Sequence, residues 1–102
     1  MSYGLAYAGA ESEYNDAEAV IFGIPYDHTA CFKAGAREAP TAIRRASYNF
    51  EEIHFEHGIH QRRLEVYDYG NCDDFILPED MFAEVDFAVR PAINDGKFTV
   101  AI

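Results

Sequence analysis

Apolar positions in this chain fall into short runs separated by stretches with helical spacing. Val20, Ile21, Phe22 and Ile24 make the first run. It is rich in β-branched and aromatic residues, which predicts a strand over Ala19–Ile24 buried on both faces. Gly23 lets a neighbour approach closely, and Pro25 removes a backbone donor and ends the pairing. Pro40 then opens a helix, because proline at the first helical positions forfeits no hydrogen bond. Ile43, Ala46 and Phe50 recur at helical spacing with Ala42 and Ile53 widening the stripe, so Arg44, Arg45 and Glu51 are assigned to the wet side. Gly58 is placed at the end of an irregular continuation of this helix.

A second strand is predicted over Leu64–Tyr69, where Leu64 and Val66 alternate only partly with Glu65 and Asp68; one face is wet or the strand lies at an edge. Pro78 opens a second helix with Glu79 and Asp80 in its first turn, where the helix dipole favours negative charge. Met81, Phe82, Val85, Ala88, Val89, Ala92 and Ile93 supply its apolar face. Pro91 inside that pattern is expected to kink or end the helix, and Asp95–Gly96 closes it. Phe98–Ile102 is the third strand. Met1 to Glu18 reads as an approach segment in which Tyr3, Leu5, Tyr7 and Ala8 can pack while Glu11 to Asp16 is polar and loose. The order β-α-β-α-β with crossover helices predicts an α/β fold on a parallel sheet, within a single partial domain over 1–102. The third strand has no following element to cover it, so the chain is expected to be the first part of a larger domain.

Composition narrows the function. With 102 residues and a hydrophobic fraction of 49%, the chain can build a core of its own. Eight basic against eighteen acidic residues give a net charge of −10, which excludes a nucleic-acid role because phosphate binding needs a basic stripe. The acidic balance suits a cationic small substrate, or serves solubility alone. Cys31 and Cys72 have no metal-type spacing and fit a reducing compartment, although two cysteines could also pair. The first residues lack a signal-peptide pattern and no run reaches membrane-span length, so the expectation is a soluble cytoplasmic protein.

Candidate chemistry gathers in loops after strands, the end of a parallel sheet where ligands bind. Asp27-His28 follows the first strand, as a proton-handling pair or as a carboxylate that braces the loop. Gly35 to Arg37 leads into Pro40, with backbone N–H groups at a helix start and an arginine that could hold the loop through a carboxylate. Asn71, Cys72, Asp73 and Asp74 follow the second strand, as a cation site or a structural loop. Lys33 and Arg37 near Cys31 could lower its thiol pKa, but no base stands at a defined spacing. His54, His57 and His60, with Glu51, Glu52 and Glu56, have ligand chemistry for zinc or manganese. Gly58 interrupts any helix that would align them, and the stretch lies at the amino end of the sheet, so a metal there is not expected.

Three pieces together resemble the amino-terminal part of the ureohydrolase (arginase/agmatinase/formiminoglutamase) superfamily, most nearly its agmatinases. They are Gly23-Ile24-Pro25-Tyr26-Asp27, Lys33-Ala34-Gly35-Ala36-Arg37-Glu38-Ala39-Pro40-Thr41-Ala42-Ile43-Arg44, and Asp68-Tyr69-Gly70-Asn71. The chain departs from the family in having Lys33-Ala34 for Arg-Pro, and His28 where a small residue is usual. The resemblance implies a three-layer α/β/α domain with the first three strands in the order 2-1-3. It also implies two manganese ions in the complete enzyme, whose bridging hydroxide attacks a guanidinium carbon, and a guanidino substrate resembling agmatine. Homotrimers or hexamers are usual in the family. The family's ligand segments (Gly-Gly-Asp/Glu-His, Asp-Ala-His-x-Asp and Asp-x-Asp) are not in this sequence. The chain alone is therefore expected to bind no dinuclear manganese and to be inactive. Tyr26, Asp27, His28 and Arg37 would line the rim of the site, with Asn71 to Asp74 a second choice. Rival readings are a truncated relative serving as an interaction or structural module, and a small metal-binding protein using the histidines.

Overall fold

A computed structural model describes residues 6–27, 35–49, 53–54, 59–60, 64–72 and 77–102. Its elements are β1 (Ala19–Gly23), α1 (Ala39–Ser47), β2 (Ile53–His54), β3 (Ile59–His60), β4 (Val66–Asn71), α2 (Pro78–Asn94) and β5 (Phe98–Ala101). β1, β4 and β5 form a parallel sheet in the order β4-β1-β5, which is the expected 2-1-3 order for the three principal strands. β1 is central, and Val20, Ile21 and Phe22 are buried. Burying side chains of this size stabilises by about 1.5–3 kcal/mol each relative to leaving them in water. The chain moves one way from β1 to β4 and back past β1 to β5. Right-handed crossovers in opposite directions lay α1 and α2 on opposite faces.

β4 runs two residues further than expected, to Asn71, and starts at Val66 rather than Leu64. The pairing explains the shift: Ala19 aligns with Val66, Ile21 with Asp68, and Gly23 with Asn71 across a bulge. A Cβ on Gly23 would lie 2.8 Å from the Pro40 Cβ and closer still to the Asn71 side chain. The glycine is what lets α1 and the end of β4 close over β1.

α1 starts at Ala39 and ends at Ser47, short of the predicted continuation. Its orientation reverses the expectation. Pro40, Arg44 and Ser47 are buried, whereas Ile43 is 39% exposed and Ala42 and Ala46 also face outward. The carboxylate of Asp68 on the sheet below α1 accounts for this, since it draws Arg44 inward. Beyond α1, Ile53–His54 pairs antiparallel with Ile59–His60, in place of the irregular helical continuation.

In α2 the buried residues are Ala88 and Ala92, while Phe82 and Ile93, expected on the inner face, are 64% and 58% exposed. Small residues at the contact let the helix lie close to the sheet. The helix continues through Pro91 to Asn94 rather than ending there. Proline's missing N–H deprives the carbonyl of Phe87, and both residues are exposed, so the lost bond faces water. The approach segment is less loose than its polarity implied. Tyr14–Asp16 forms a 3-10 turn, Tyr14 Oη donates to Asp95 Oδ2 at 2.9 Å, and Lys97 Nζ lies 4.8 Å from the Tyr14 ring centroid. Among the described residues, no helix is long and apolar enough to cross a membrane.

Candidate functional site at the carboxyl end of the sheet

Where β1 ends, the Ile24 N–H donates to the Ile102 carbonyl at 2.8 Å, tying the start of the loop to the end of β5. This is the carboxyl end of the parallel strands, the end where ligands bind in open α/β sheets. Tyr26 is half-buried beside it, its N–H donating back to the Ile24 carbonyl. Asp27 turns inward and is 7% exposed. Its Oδ2 accepts the Gly35 N–H at 2.8 Å, and the Arg37 guanidinium approaches both oxygens, with Nε 3.1 Å from each. Gly35 has φ of +143°, a conformation few other residues adopt. The guanidinium of Arg37, seconded by the Gly35 N–H, holds the Asp27 carboxyl below the usual carboxylate range. Asp27 is thus an ionised clasp joining the exit of β1 to the approach of α1. Its oxygens are engaged by donors, an arrangement that braces rather than shuttles protons.

The second cluster was not singled out as a site by spacing alone. Arg44 donates through Nε to Asp68 Oδ2 at 2.8 Å and through a terminal nitrogen to Oδ1 at 2.9 Å, a bidentate pair whose side chains are each 3% exposed. The other terminal nitrogen donates to Asn71 Oδ1. Asp68 also accepts the N–H groups of Tyr7 at 2.7 Å and Gly70 at 2.9 Å. Burial pushes the Asp68 carboxyl upward, but Arg44 and the two amides outweigh it, and the net direction is down. The approach segment is clipped to the same place: the Ala8 N–H donates to Ser47 Oγ at 2.8 Å, and Tyr48 Oη to the Ala6 carbonyl at 2.8 Å. The legible signal was a charged residue, Asp68, within a strand, together with an arginine one turn after Pro40.

Tyr26, Asp27 and Arg37 come together at the carboxyl end of β1. His28 lies outside the described residues, as do Cys31, Lys33, Asp73 and Asp74. Asn71 belongs to the Arg44 cluster, and Cys72 is buried with its N–H on the Gly23 carbonyl at 2.8 Å. His54 and His60 fall on β2 and β3, and His57 lies outside the described residues. The described residues do not make a donor set for a dinuclear metal centre. No group of three His, Cys, Asp or Glu is gathered among them. The buried carboxylates Asp27 and Asp68 each already hold a guanidinium.

This architecture has known counterparts. Residues 17–102 match the model of the arginase family. The chain belongs to the arginase family. Its arginase-family relatives include an agmatinase of Pyrococcus horikoshii, 34% identical over 83% of this chain and 28% of that protein. A formimidoylglutamase of Halobacterium salinarum is 32% identical over 89% of this chain and 28% of its own length. Among solved structures, the agmatine ureohydrolase of Thermoplasma volcanium superposes with a TM-score of 0.91 at 29% identity, covering 99% of this chain and 34% of that one. The chain therefore spans about a third of that solved arginase-family protein.

Proposed function

We propose that this chain supplies the first β-α-β-α-β portion of a manganese-dependent agmatinase, which splits agmatine with water into putrescine and urea. The observation that carries the reading is the close superposition on an agmatine ureohydrolase along nearly the whole chain, at a TM-score of 0.91. In the complete enzyme two Mn2+ would be held by residues other than those described. This chain's part is a wall: the Asp27–Arg37 clasp fixes the exit of β1, and Tyr26, Asp27, His28 and Arg37 form the rim facing a guanidino substrate. The net charge of −10 suits a cationic substrate. The complete protein would be a soluble, cytoplasmic enzyme of polyamine biosynthesis, assembled as a homotrimer or hexamer.

Urea and putrescine release from agmatine tests this. The purified chain with added Mn2+ is expected to release neither, whereas a protein carrying this chain within a complete arginase-family domain releases both. Urea from the chain alone, free of host enzyme, would overturn the partial-site reading. A complete protein that hydrolyses formiminoglutamate in preference to agmatine would overturn the substrate.

A further inference from the structure

The approach segment crosses the outer edge of β4 and touches both faces of the sheet. Successive side chains along a strand point to opposite faces, so Tyr67 and Asp68 lie on different sides of β4. On the Asp68 side, the Tyr7 N–H donates to the Asp68 carboxylate at 2.7 Å and the Ala8 N–H to Ser47 Oγ of α1. At the edge itself, the Ser12 N–H donates to the Val66 carbonyl at 3.1 Å. On the Tyr67 side, the Tyr14 ring meets the Tyr67 ring edge-on, with centroids 5.7 Å apart. Beyond this point the segment is pinned by the turn between α2 and β5. Asp95 accepts from the Tyr14 hydroxyl, and the Lys97 ammonium lies over the Tyr14 ring and donates to the Ala17 carbonyl at 2.7 Å. Among residues 6–17, Ala17 alone is buried. With so little buried surface, the entropy cost of ordering the segment exceeds what any one of these bonds supplies, and they hold it by acting together.

We propose that residues 7–17 form a strap that opens and closes over the edge of β4 as one unit, with Tyr14 as its buckle between Asp95 and Lys97, and that the Arg44–Asp68 pair responds to its state. Asp95 and Lys97 precede β5, whose first residue aligns with Ala19 at the amino end of β1. The buckle therefore stands at the amino end of the sheet. The strap's other end supplies Asp68 with the Tyr7 donor and α1 with the Ala8 bond, and both are lost when it opens. Arg44 holds Asn71 as well as Asp68, so a change at Asp68 reaches the carboxyl end of β4. The strap is a two-state element that joins the two ends of the sheet through contacts described atom by atom. The bonds that tie Ile24 and Ile102 between β1 and β5 lie outside it.

Hydrogen exchange of the full chain, followed amide by amide, tests this. Lys97→Met removes the ammonium and keeps most of the apolar stem. The amides of Tyr7, Ala8 and Ser12 should then exchange faster together, by at least about tenfold, while those of Ile24 and Ile102 keep the parent rates. Tyr14→Phe, which loses the bond to Asp95 and keeps the ring, should raise the same amides by a smaller common factor. From the other end, Ser47→Ala removes the acceptor of the Ala8 N–H and should speed exchange at Ala17, because coupling between two sites is reciprocal. The Arg44 Nε proton, held by Asp68, should follow the strap in each variant. A rise confined to Asp16 and Ala17 in Lys97→Met would mean separate local contacts and would overturn the strap. Equal acceleration of Ile24 and Ile102 would overturn it too, since the segment would then have no opening of its own. An Arg44 proton that does not respond would overturn the link to Asp68.

Discussion

Asp68 accepts from Arg44, Tyr7 and Gly70 at once, and each donor belongs to a different part of the chain. Removing one member of a buried pair leaves the other charge without compensation, a loss of about 3–5 kcal/mol. Asp68→Ala is expected to destabilise by that order, read from the urea midpoint. Replacing both partners, Asp68→Leu with Arg44→Met, should cost far less than the two single changes summed, since no charge is then stranded. Additive losses would show that water reaches the guanidinium. Gly23→Ala tests the neighbouring contact. Asn71 can swing its amide away from a new Cβ, but the Pro40 ring at 2.8 Å cannot, so overpacking should cost about 1–3 kcal/mol. The burial of Arg44 was not legible from helical periodicity, which compares a residue only with its own segment. Its partner lies 24 positions away and reverses the helix face. Asp27 and Arg37 lie only 10 positions apart, and each was read as a residue that could hold the loop, though not as partners of one another.

At the scale of elements, the strands were read correctly wherever apolar residues clustered, as in Val20–Phe22 and Phe98–Ala101. The β2–β3 pair was missed because Ile53-His54 and Ile59-His60 are too short to carry any period. α2 was found from Pro78 and its spacing, but its inner face was drawn too wide. The contact is set by Ala92, 1% exposed, and Ala88, while the large apolar residues Phe82, Phe87 and Ile93 remain outside. Ala92→Leu should therefore destabilise by about 1–3 kcal/mol through overpacking, whereas Phe87→Ser, at 76% exposure, should leave the urea midpoint within about 0.5 kcal/mol of the parent. A reversed order of effects would mean that α2 is rotated on the sheet. The Asp86–Arg90 pair on the same helix is well exposed on both sides, so Arg90→Ala should change stability little and less still in high salt.

For the whole molecule, the buried carboxylates Asp27 and Asp68 set how stability depends on pH in acid. Strand order and family membership were legible only through three motifs read jointly; the charge of −10 was legible from composition, but which carboxylates are bound was not. Asp27 and Asp68 have folded pKa values below their ordinary ones. Their contribution is therefore complete above the ordinary carboxylate value of about 3.9 and is lost as pH falls through the lower folded values. Stability should accordingly fall as pH is lowered below about 4. High salt should leave that fall largely in place, because a pair whose side chains are 3% exposed is poorly screened. Asp68→Asn should lower stability at neutral pH and make the acid limb shallower. Urea midpoints from about pH 5 downward, at low and high salt, measure this limb. An acid limb of the same depth in Asp68→Asn would mean that other carboxylates govern acid unfolding and that the Arg44 pair is not the electrostatic centre of the fold.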